Sequence, residues 1–128
     1  MNNTELAWAA GFFDGEGSIC STARKTKHGD SYHMIVSISQ TDPRPLERFR
    51  LAVGMGKVGG PYNTFNAYTK QVYKPVYAFR LHTAGEVLTM VAKLWPYLSE
   101  PKRDQMQASI EGWKASKATR KPRGYNVG

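Results

Sequence analysis

The sequence predicts an α+β domain in which four antiparallel strands are backed by helices. Segments with helical periodicity and segments with strand alternation follow one another in the order helix, two strands, helix, two strands, helix, helix. The strands come in consecutive pairs, as antiparallel hairpins do, and no internal repeat is detectable. A chain of 128 residues fits one domain with one core.

The first predicted helix is almost wholly apolar and ends in two acids. It spans Thr4 to Gly15, with Thr4 as its cap and glycines ending it. A helix that is apolar all round is buried on more than one side. One side serves the core of this domain, and the opposite side needs a second partner. That side carries Trp8, Gly11, Phe12 and Gly15 at helical spacing. Acids at a helix C-terminus also require something cationic close by.

The strands follow from alternation between turn-rich segments. Residues 18–25 and 31–39 are predicted to form a hairpin around the turn at 26–30. In the second of these strands an apolar side alternates with a mostly polar one, so one face packs inward and the other faces outward. A second strand pair is predicted at residues 56–60 and 74–82, joined by a long polar and aromatic connection.

The later helices follow from their terminal residues. Asp42 caps a helix that ends at Gly54. Thr83 and Glu86 form a predicted capping box for a third helix, which Pro96 stops. The last helix is predicted to start near Pro101, and its inward-facing residues are Met106, Ile110 and Trp113. We expect residues 1–115 to form the single domain and residues 116–128 to be a basic, flexible tail.

The charge balance points to a polyanionic partner. The net charge is +8, and residues 17–80 hold ten Lys or Arg against three Asp or Glu. Lys and Arg in excess bind nucleic acid through counterion release. No apolar run approaches the roughly 20 residues of a membrane span, and the single cysteine, Cys20, excludes an internal disulfide. We expect a soluble intracellular protein with no membrane partner, in a bacterial, phage-host or organellar setting.

The segment AGFFDGEGSI, residues 10–19, resembles the signature of the LAGLIDADG homing endonuclease family. In that family an apolar helix with closely packed small residues ends in an acid beneath a DNA-binding sheet. The αββαββα order is also similar, as are ISQTDPRPLERF at residues 38–49 and LWPYLSEPKRDQ at residues 94–105. The resemblance covers roughly residues 4–115. It implies the homing-endonuclease fold, with a curved four-stranded sheet that binds DNA.

The resemblance also implies the roles of individual residues. Glu16 stands at the position of the metal-binding acid, beside the carbonyl of Gly15, although the family often has Asp there. Gln40 matches a polar residue that holds active-site water, and Arg44 lies one helical turn further on, near the scissile phosphate. Lys102 matches a basic residue that helps to stabilise the transition state. The segment between Leu98 and Lys102, however, is one residue longer than usual. Asp14 is the first acid of the motif and makes helix-end contacts.

DNA contacts are expected on the outward face of the strands. If Ser18 faces DNA, alternation places the other even-numbered residues of the first strand on the same side. The outward residues of the second strand are odd-numbered. The predicted DNA-binding residues are Ser18, Cys20, Thr22, Arg24, His33, Ile35, Ser37, Lys57, Lys70, Lys74 and Arg80. The first three strands and the last supply most of them, and Lys70 belongs to the long connection. Which of these side chains contact bases and which contact phosphates stays open at this point.

Together these features predict a homing endonuclease, intron-encoded or free-standing, that acts on double-stranded DNA as a homodimer. Mg²⁺ is the expected cofactor, with Mn²⁺ or Ca²⁺ as substitutes, Ca²⁺ in a complex that does not cut. A single motif per chain requires a second copy, so the target is a long near-palindromic duplex. The resemblance also implies that both strands are cut across the minor groove to leave short 3′ overhangs. Two alternatives remain: a non-cleaving DNA-binding or regulatory module of the same fold, and an RNA-splicing maturase, for which RNA would be the partner.

Simpler interpretations of the same residues also stand. Glu16 could be a helix-terminal acid in a solvated turn, and Gln40 could simply cap the helix that follows it. Lys102 and Arg103 could be surface charges. The aromatic run formed by Tyr62, Phe65, Tyr68 and Tyr73 is more typical of a packed hairpin than of base stacking.

Overall fold

The computed structural model describes residues 3–27, 29–63 and 65–119, which form an antiparallel sheet backed by helices. The helices of this part are α1 (Asn3–Glu16), α2 (Pro43–Val53), α3 (Ala84–Leu94) and α4 (Glu100–Thr119), with a 3₁₀ helix at Trp95–Tyr97 between the last two. The strands are β1 (Gly17–Thr26), β2 (Gly29–Gln40), β3 (Lys57–Tyr62), β4 (Phe65–Asn66), β5 (Gln71–Val72) and β6 (Val76–Leu81). The predicted α+β class and the order of the main elements are confirmed.

The main sheet has the strand order β1-β2-β6-β3, and every neighbouring pair is antiparallel. The two long hairpin strands therefore occupy one half of the sheet, and β6 joins them to the edge strand β3. The connection between β3 and β6, predicted as a long polar and aromatic segment, contains a separate two-stranded hairpin formed by β4 and β5. The sequence prediction assigned no strands within this segment.

The predicted alternation in β2 is confirmed. Met34, Val36 and Ile38 are buried, whereas His33 and Ser39 on the opposite parity retain access to solvent. Burial of every second side chain fixes the register of the strand, because a slip by one residue would turn the whole apolar set outward.

A chain of aromatic rings joins α1 to the rest of the core. The Phe13 ring lies 6.2 Å from that of Phe49 on α2, and Phe49 meets the edge of Phe79 on β6 at 4.9 Å. All three side chains are fully buried. Aromatic pairs at these separations add to the free energy of burial through their ring quadrupoles. The packing fixes the direction of α1 and therefore the position of the acids at its end.

The helix termini agree only in part with the prediction. Asp42 caps α2 as predicted, since its carboxylate accepts the N–H of Arg44 at 2.9 Å, and Gly54 ends the helix in a left-handed conformation. The capping box predicted for α3 is wrong, because the Thr83 side chain makes no capping hydrogen bond; the backbone carbonyl of Thr83 accepts the first helical hydrogen bond, from the N–H of Val87. Helix α1 begins at Asn3, so Thr4 lies inside its first turn.

The last helix, α4, begins at Glu100 and buries Met106, as predicted. It continues to Thr119, so residues 116–119 of the predicted tail are helical, whereas residues 120–128 lie outside the described part of the chain. Among the described residues no helix is both long and apolar enough to cross a membrane.

Candidate functional site

Glu16 lies at the junction of helix and sheet. It is the last residue of α1, and β1 begins at the next residue with no loop between them. Gly17 makes this junction possible, because a Cβ at that position would overlap the ring of Phe13. The Glu16 side chain is exposed. The sequence thus places one solvent-facing carboxylate at the foot of the sheet, as predicted.

The neighbouring acid, Asp14, has a different role. Its carboxylate accepts the backbone N–H of Ser99 at 3.1 Å and the Ser99 hydroxyl at 3.0 Å. Ser99 immediately precedes α4, so the acid satisfies donors at the start of that helix, where a negative charge is also favoured by the helix dipole. The expected helix-end contact of Asp14 is confirmed, and the acid ties the end of α1 to α4.

Lys102 supplies the cation expected near the end of α1. Only 8% of the residue is exposed. Its ammonium donates to the carbonyl of Gly17 at 3.0 Å and to the side-chain oxygen of Gln105 at 3.1 Å. It also lies 5.4 Å from the centre of the Phe13 ring. Among the described residues no carboxylate forms an ion pair with it. A buried cation held only by neutral groups favours an anion nearby.

Gln40 and Arg44 lie at the same end of the sheet. Gln40 is the half-buried last residue of β2, two residues beyond the pairing of Ile38 with Gly17. Arg44, in the first turn of α2, is 88% exposed at its side chain, and its Nε donates to the Asp42 carboxylate at 3.0 Å. Hydrogen bonds from Arg44 lower the pKa of Asp42 to about 2. Arg44 is therefore paired with Asp42 at the start of α2, with most of its side chain open to solvent.

The donor atoms at the helix end suit a hard divalent cation but are too few in a single chain. Among the described residues no three His, Cys, Asp or Glu side chains gather into a metal-sized group. Glu16 offers a carboxylate, and the carbonyl of Gly15 lies in the last turn of α1, where carbonyls lack helical partners. Oxygen donors of these kinds fit Mg²⁺, which keeps several waters when bound by proteins. Glu16 and the carbonyl of Gly15 therefore offer two of the oxygen ligands that such an ion takes.

The outward face of the sheet is built from small, basic and neutral residues. One row crosses all four strands, because Ser18 pairs with Ser37, Ser37 with Arg80, and Arg80 with Lys57. The Ser18 and Ser37 hydroxyls lie 3.0 Å apart, which confirms that they share a face. The same register pairs Cys20 with Ile35 and Thr22 with His33. The predicted set on these strands therefore shares one face of the sheet.

This face carries a groove of about 580 Å³ lined by residues of β2 and by residues in and after β6. The lining residues are His33, Ile35, Ser37, Ser39, Arg80 and His82. Sequence reasoning missed Ser39 and His82 as members of this surface. Both continue the alternation, since each stands two residues after a predicted member, so the same parity rule would have found them.

The remaining predicted contacts fall outside the four strands. Lys70 lies in the turn between β4 and β5, and Lys74 lies in the segment between β5 and β6, not on a strand of the main sheet. Both side chains are exposed. The side chain of Arg24 lies outside the described part of the chain.

The expectation that the aromatic run packs a hairpin is wrong for Tyr68, which is 99% exposed.

The predicted interface side of α1 is open at its glycines and partly used at its aromatics. A Cβ at Gly11 or Gly15 would meet no atom within 4 Å. The Trp8 ring, in contrast, stacks on Phe12 at 5.2 Å, and the Arg48 guanidinium covers it at 4.0 Å. Trp8 and Phe12 are thus half-buried within their own chain, whereas Gly11 and Gly15 are exposed and no described residue lies within 4 Å of a Cβ added there.

Comparison with solved structures identifies the fold. The homing endonuclease I-CvuI, in complex with the I-CreI target, matches with a TM-score of 0.68 and 22% identity over 88% of this chain and 67% of its own. The group I intron-encoded homing endonuclease I-CeuI, complexed with DNA, gives 0.67 and 11% over 91% and 57%. The LAGLIDADG meganuclease I-CpaMI, bound to uncleaved DNA, gives 0.65 and 18% over 92% and 39%.

No family model matches the sequence, and no curated protein shows significant similarity to it. The structural matches nevertheless span most of the chain, so the protein has the fold of the LAGLIDADG homing endonucleases, as its sequence predicts. At these identities the likeness establishes the fold, and function must be argued from the site.

Proposed function

We propose that the protein is a site-specific, metal-dependent endonuclease that cuts double-stranded DNA as a homodimer. The observation that carries this proposal is that the ammonium of Lys102 is bound at Gly17, the residue directly after Glu16, at the foot of the sheet. Glu16 carries an exposed carboxylate. The Lys102 ammonium is buried and donates a hydrogen bond to the carbonyl of Gly17. Hydrolysis of a phosphodiester needs a carboxylate for a metal and a cation for the developing phosphate charge, and both are present.

The chemistry divides among the residues at this end of the sheet. A bound Mg²⁺ would supply an activated water and neutralise phosphate charge. Glu16 and the carbonyl of Gly15 would hold it. Lys102, fixed by Gly17, would stabilise negative charge on the phosphate without having to be ordered during the reaction. Gln40 would orient water by hydrogen bonds, and Arg44 would exchange Asp42 for a phosphate oxygen.

The partner is double-stranded DNA on the outward face of the sheet. At the positions set by the strand register, this face carries basic and neutral residues and no Asp or Glu. The solved structures with the same fold that are named above contain DNA. An antiparallel sheet can lie in the major groove, where side chains reach base edges.

A second copy of the chain completes the site. One protomer provides a single carboxylate, whereas cutting two strands requires two reaction centres. The open glycines of α1 lie on the helix that ends in Glu16, so pairing of two such helices would bring the two carboxylates towards each other. Small residues allow helix backbones to approach closely. Twofold symmetry of the protein would then impose near-symmetry on the target.

The test is selection of cut duplexes from a random pool by the purified protein, with Mg²⁺ and with EDTA. We expect double-strand cuts with Mg²⁺ only, at a near-palindromic sequence. Glu16→Gln should abolish cutting, and Glu111→Gln, the same charge change on an exposed part of α4, should not. Binding without any nick would support the non-cleaving module instead. Preferential binding of structured intron RNA would support the maturase.

A further inference from the structure

Arg80 differs from the other arginines of the described chain in how it is held. Arg44, Arg48 and Arg50 each pair with an acid, at Asp42, Glu5 and Glu47. Arg103 donates to the carbonyls of Trp95 and Pro96. Arg80 forms no ion pair with any described residue, and its guanidinium lies over the ring of Tyr62 at 5.4 Å. Its guanidinium therefore rests on an aromatic ring, and within the described part of the chain no acid takes up its donors.

Tyr62 is itself fixed over the outward face. Its hydroxyl lies so close to Gly59 that a Cβ there would overlap it. Gly59 pairs with Ala78 on β6, so two very small residues leave room for the ring above the sheet. A guanidinium resting on an aromatic face keeps its planar set of donors directed outward, at a small cost in side-chain entropy on binding.

The position of Arg80 within the sheet favours a contact with a base over a contact with a phosphate. Four strands spaced at about 4.8 Å span roughly 14 Å, slightly more than the roughly 12 Å width of the major groove. The central strands β2 and β6 therefore face the floor of the groove, and the edge strands face the phosphates on either side. Arg80 lies on central β6, and Lys57, paired with it, lies on the edge strand β3.

We infer that Arg80 is a specificity-determining residue that recognises a guanine in each half of the DNA target, with Tyr62 as its positioning residue. The inference rests on the proposed binding of duplex DNA to this face but not on cleavage. Two parallel N–H donors of Arg80 match the O6 and N7 acceptors that guanine presents in the major groove. The small Ser37 beside it leaves the approach open. Lys57 contributes a phosphate contact, which adds affinity without sequence preference.

Selection of bound duplexes from a random pool without Mg²⁺ tests this inference. The wild-type chain should prefer guanine at one position of each half-site by about 10- to 100-fold over other bases. Arg80→Gln should move the preference at that position to adenine, whose N6 and N7 suit a glutamine side chain. All other positions should be unchanged. The matched control, Lys57→Gln, should weaken binding to all sequences equally and keep the guanine.

The positioning role of Tyr62 has its own readout. Tyr62→Leu should reduce the preference for guanine at the same position only, and Tyr62→Phe, which keeps the ring, should retain it. A guanine that persists in the Arg80→Gln selection would overturn the inference, as would a uniform loss of affinity at every position. An Arg80-dependent guanine in a protein that never cuts would refute the proposed nuclease activity and leave this inference standing. Cutting at a site with no such guanine would support the proposed nuclease activity and overturn this inference.

Discussion

Replacing Gly11 with leucine should stabilise the folded protomer and weaken the dimer. Gly11 lies in the middle of α1 and is exposed, and a Cβ there meets nothing within 4 Å in its own chain. The isolated protomer therefore accepts a Cβ at this exposed position without a clash. The proposed partner helix, packed against the same glycine, does not.

The size of each effect follows from the packing. Glycine inside a helix is about 0.8–1 kcal/mol less favourable than alanine, and leucine is close to alanine. Gly11→Leu should therefore raise the melting temperature of the protomer by roughly 2–5 °C. Overpacking of a tight contact costs about 1–3 kcal/mol per added side chain, and the dimer receives two. The dissociation constant should rise about 30-fold at least and about 2 × 10⁴-fold at most.

Sedimentation equilibrium over a range of protein concentrations measures the dimer, and thermal melts at a concentration below the dissociation constant measure the protomer. Gly85→Ala is the matched control, because Gly85 is also a helical glycine with nothing within 4 Å of an added Cβ, but lies on α3. It should leave the mass unchanged. An unaltered dimer for Gly11→Leu, or a destabilised protomer, would refute the proposed interface.

Three further outcomes are expected. Glu16→Gln should leave DNA affinity nearly intact while removing cleavage, since the side chain holds metal and not DNA; gel shifts and cleavage assays with the same duplex measure both. Asp14→Ala should lower the free energy of unfolding by about 1–3 kcal/mol, because it leaves the donors of Ser99 without their charged acceptor; urea denaturation measures this loss. Asp42→Asn should change the pH dependence of stability. The pKa of Asp42 is lowered in the folded state from 3.8 to about 2 by Arg44, so the charged form stabilises the fold above about pH 4, and this contribution disappears as the pH falls towards 2. The difference in melting temperature between wild type and variant should shrink over that interval.

Each of these outcomes has a contrary result. Cleavage by Glu16→Gln at the wild-type rate would remove the carboxylate from the reaction. A fully stable Asp14→Ala protein would show that the contact between α1 and α4 is dispensable. A constant difference between Asp42→Asn and wild type from pH 4 to pH 2 would contradict the ion pair with Arg44.

Sequence patterns predicted the main elements well because those elements obey local periodicity. The alternation in β2 and the capping residue Asp42 act within a few residues, and both are confirmed. The capping box of α3 failed although its residue types were right. Thr83 occupies the cap position in an extended conformation, and its carbonyl accepts the first helical hydrogen bond, from the N–H of Val87, but its side chain makes no capping hydrogen bond. The first N–H groups of a helix can be satisfied by water as well as by a side chain.

The site was less predictable because its contacts join distant parts of the chain. Asp14 meets Ser99, and Lys102 meets Gly17, each across 85 residues. The family resemblance supplied Lys102 as a candidate, but only the packing of α4 shows that its ammonium is buried beside the end of α1. The contact of Arg80 with Tyr62 depends on the Tyr62 ring lying over Gly59 and Ala78. No local sequence pattern indicates this arrangement.

The central claim is that two protomers each contribute one Glu16 to a shared site for cutting both strands. Its most direct test is a heterodimer of wild type and Glu16→Gln, purified through two different tags and given the selected duplex labelled on each strand with Mg²⁺. We predict that this heterodimer fails to make double-strand cuts and leaves at least one strand intact in every binding event. Cutting of both strands at the wild-type rate would contradict the claim.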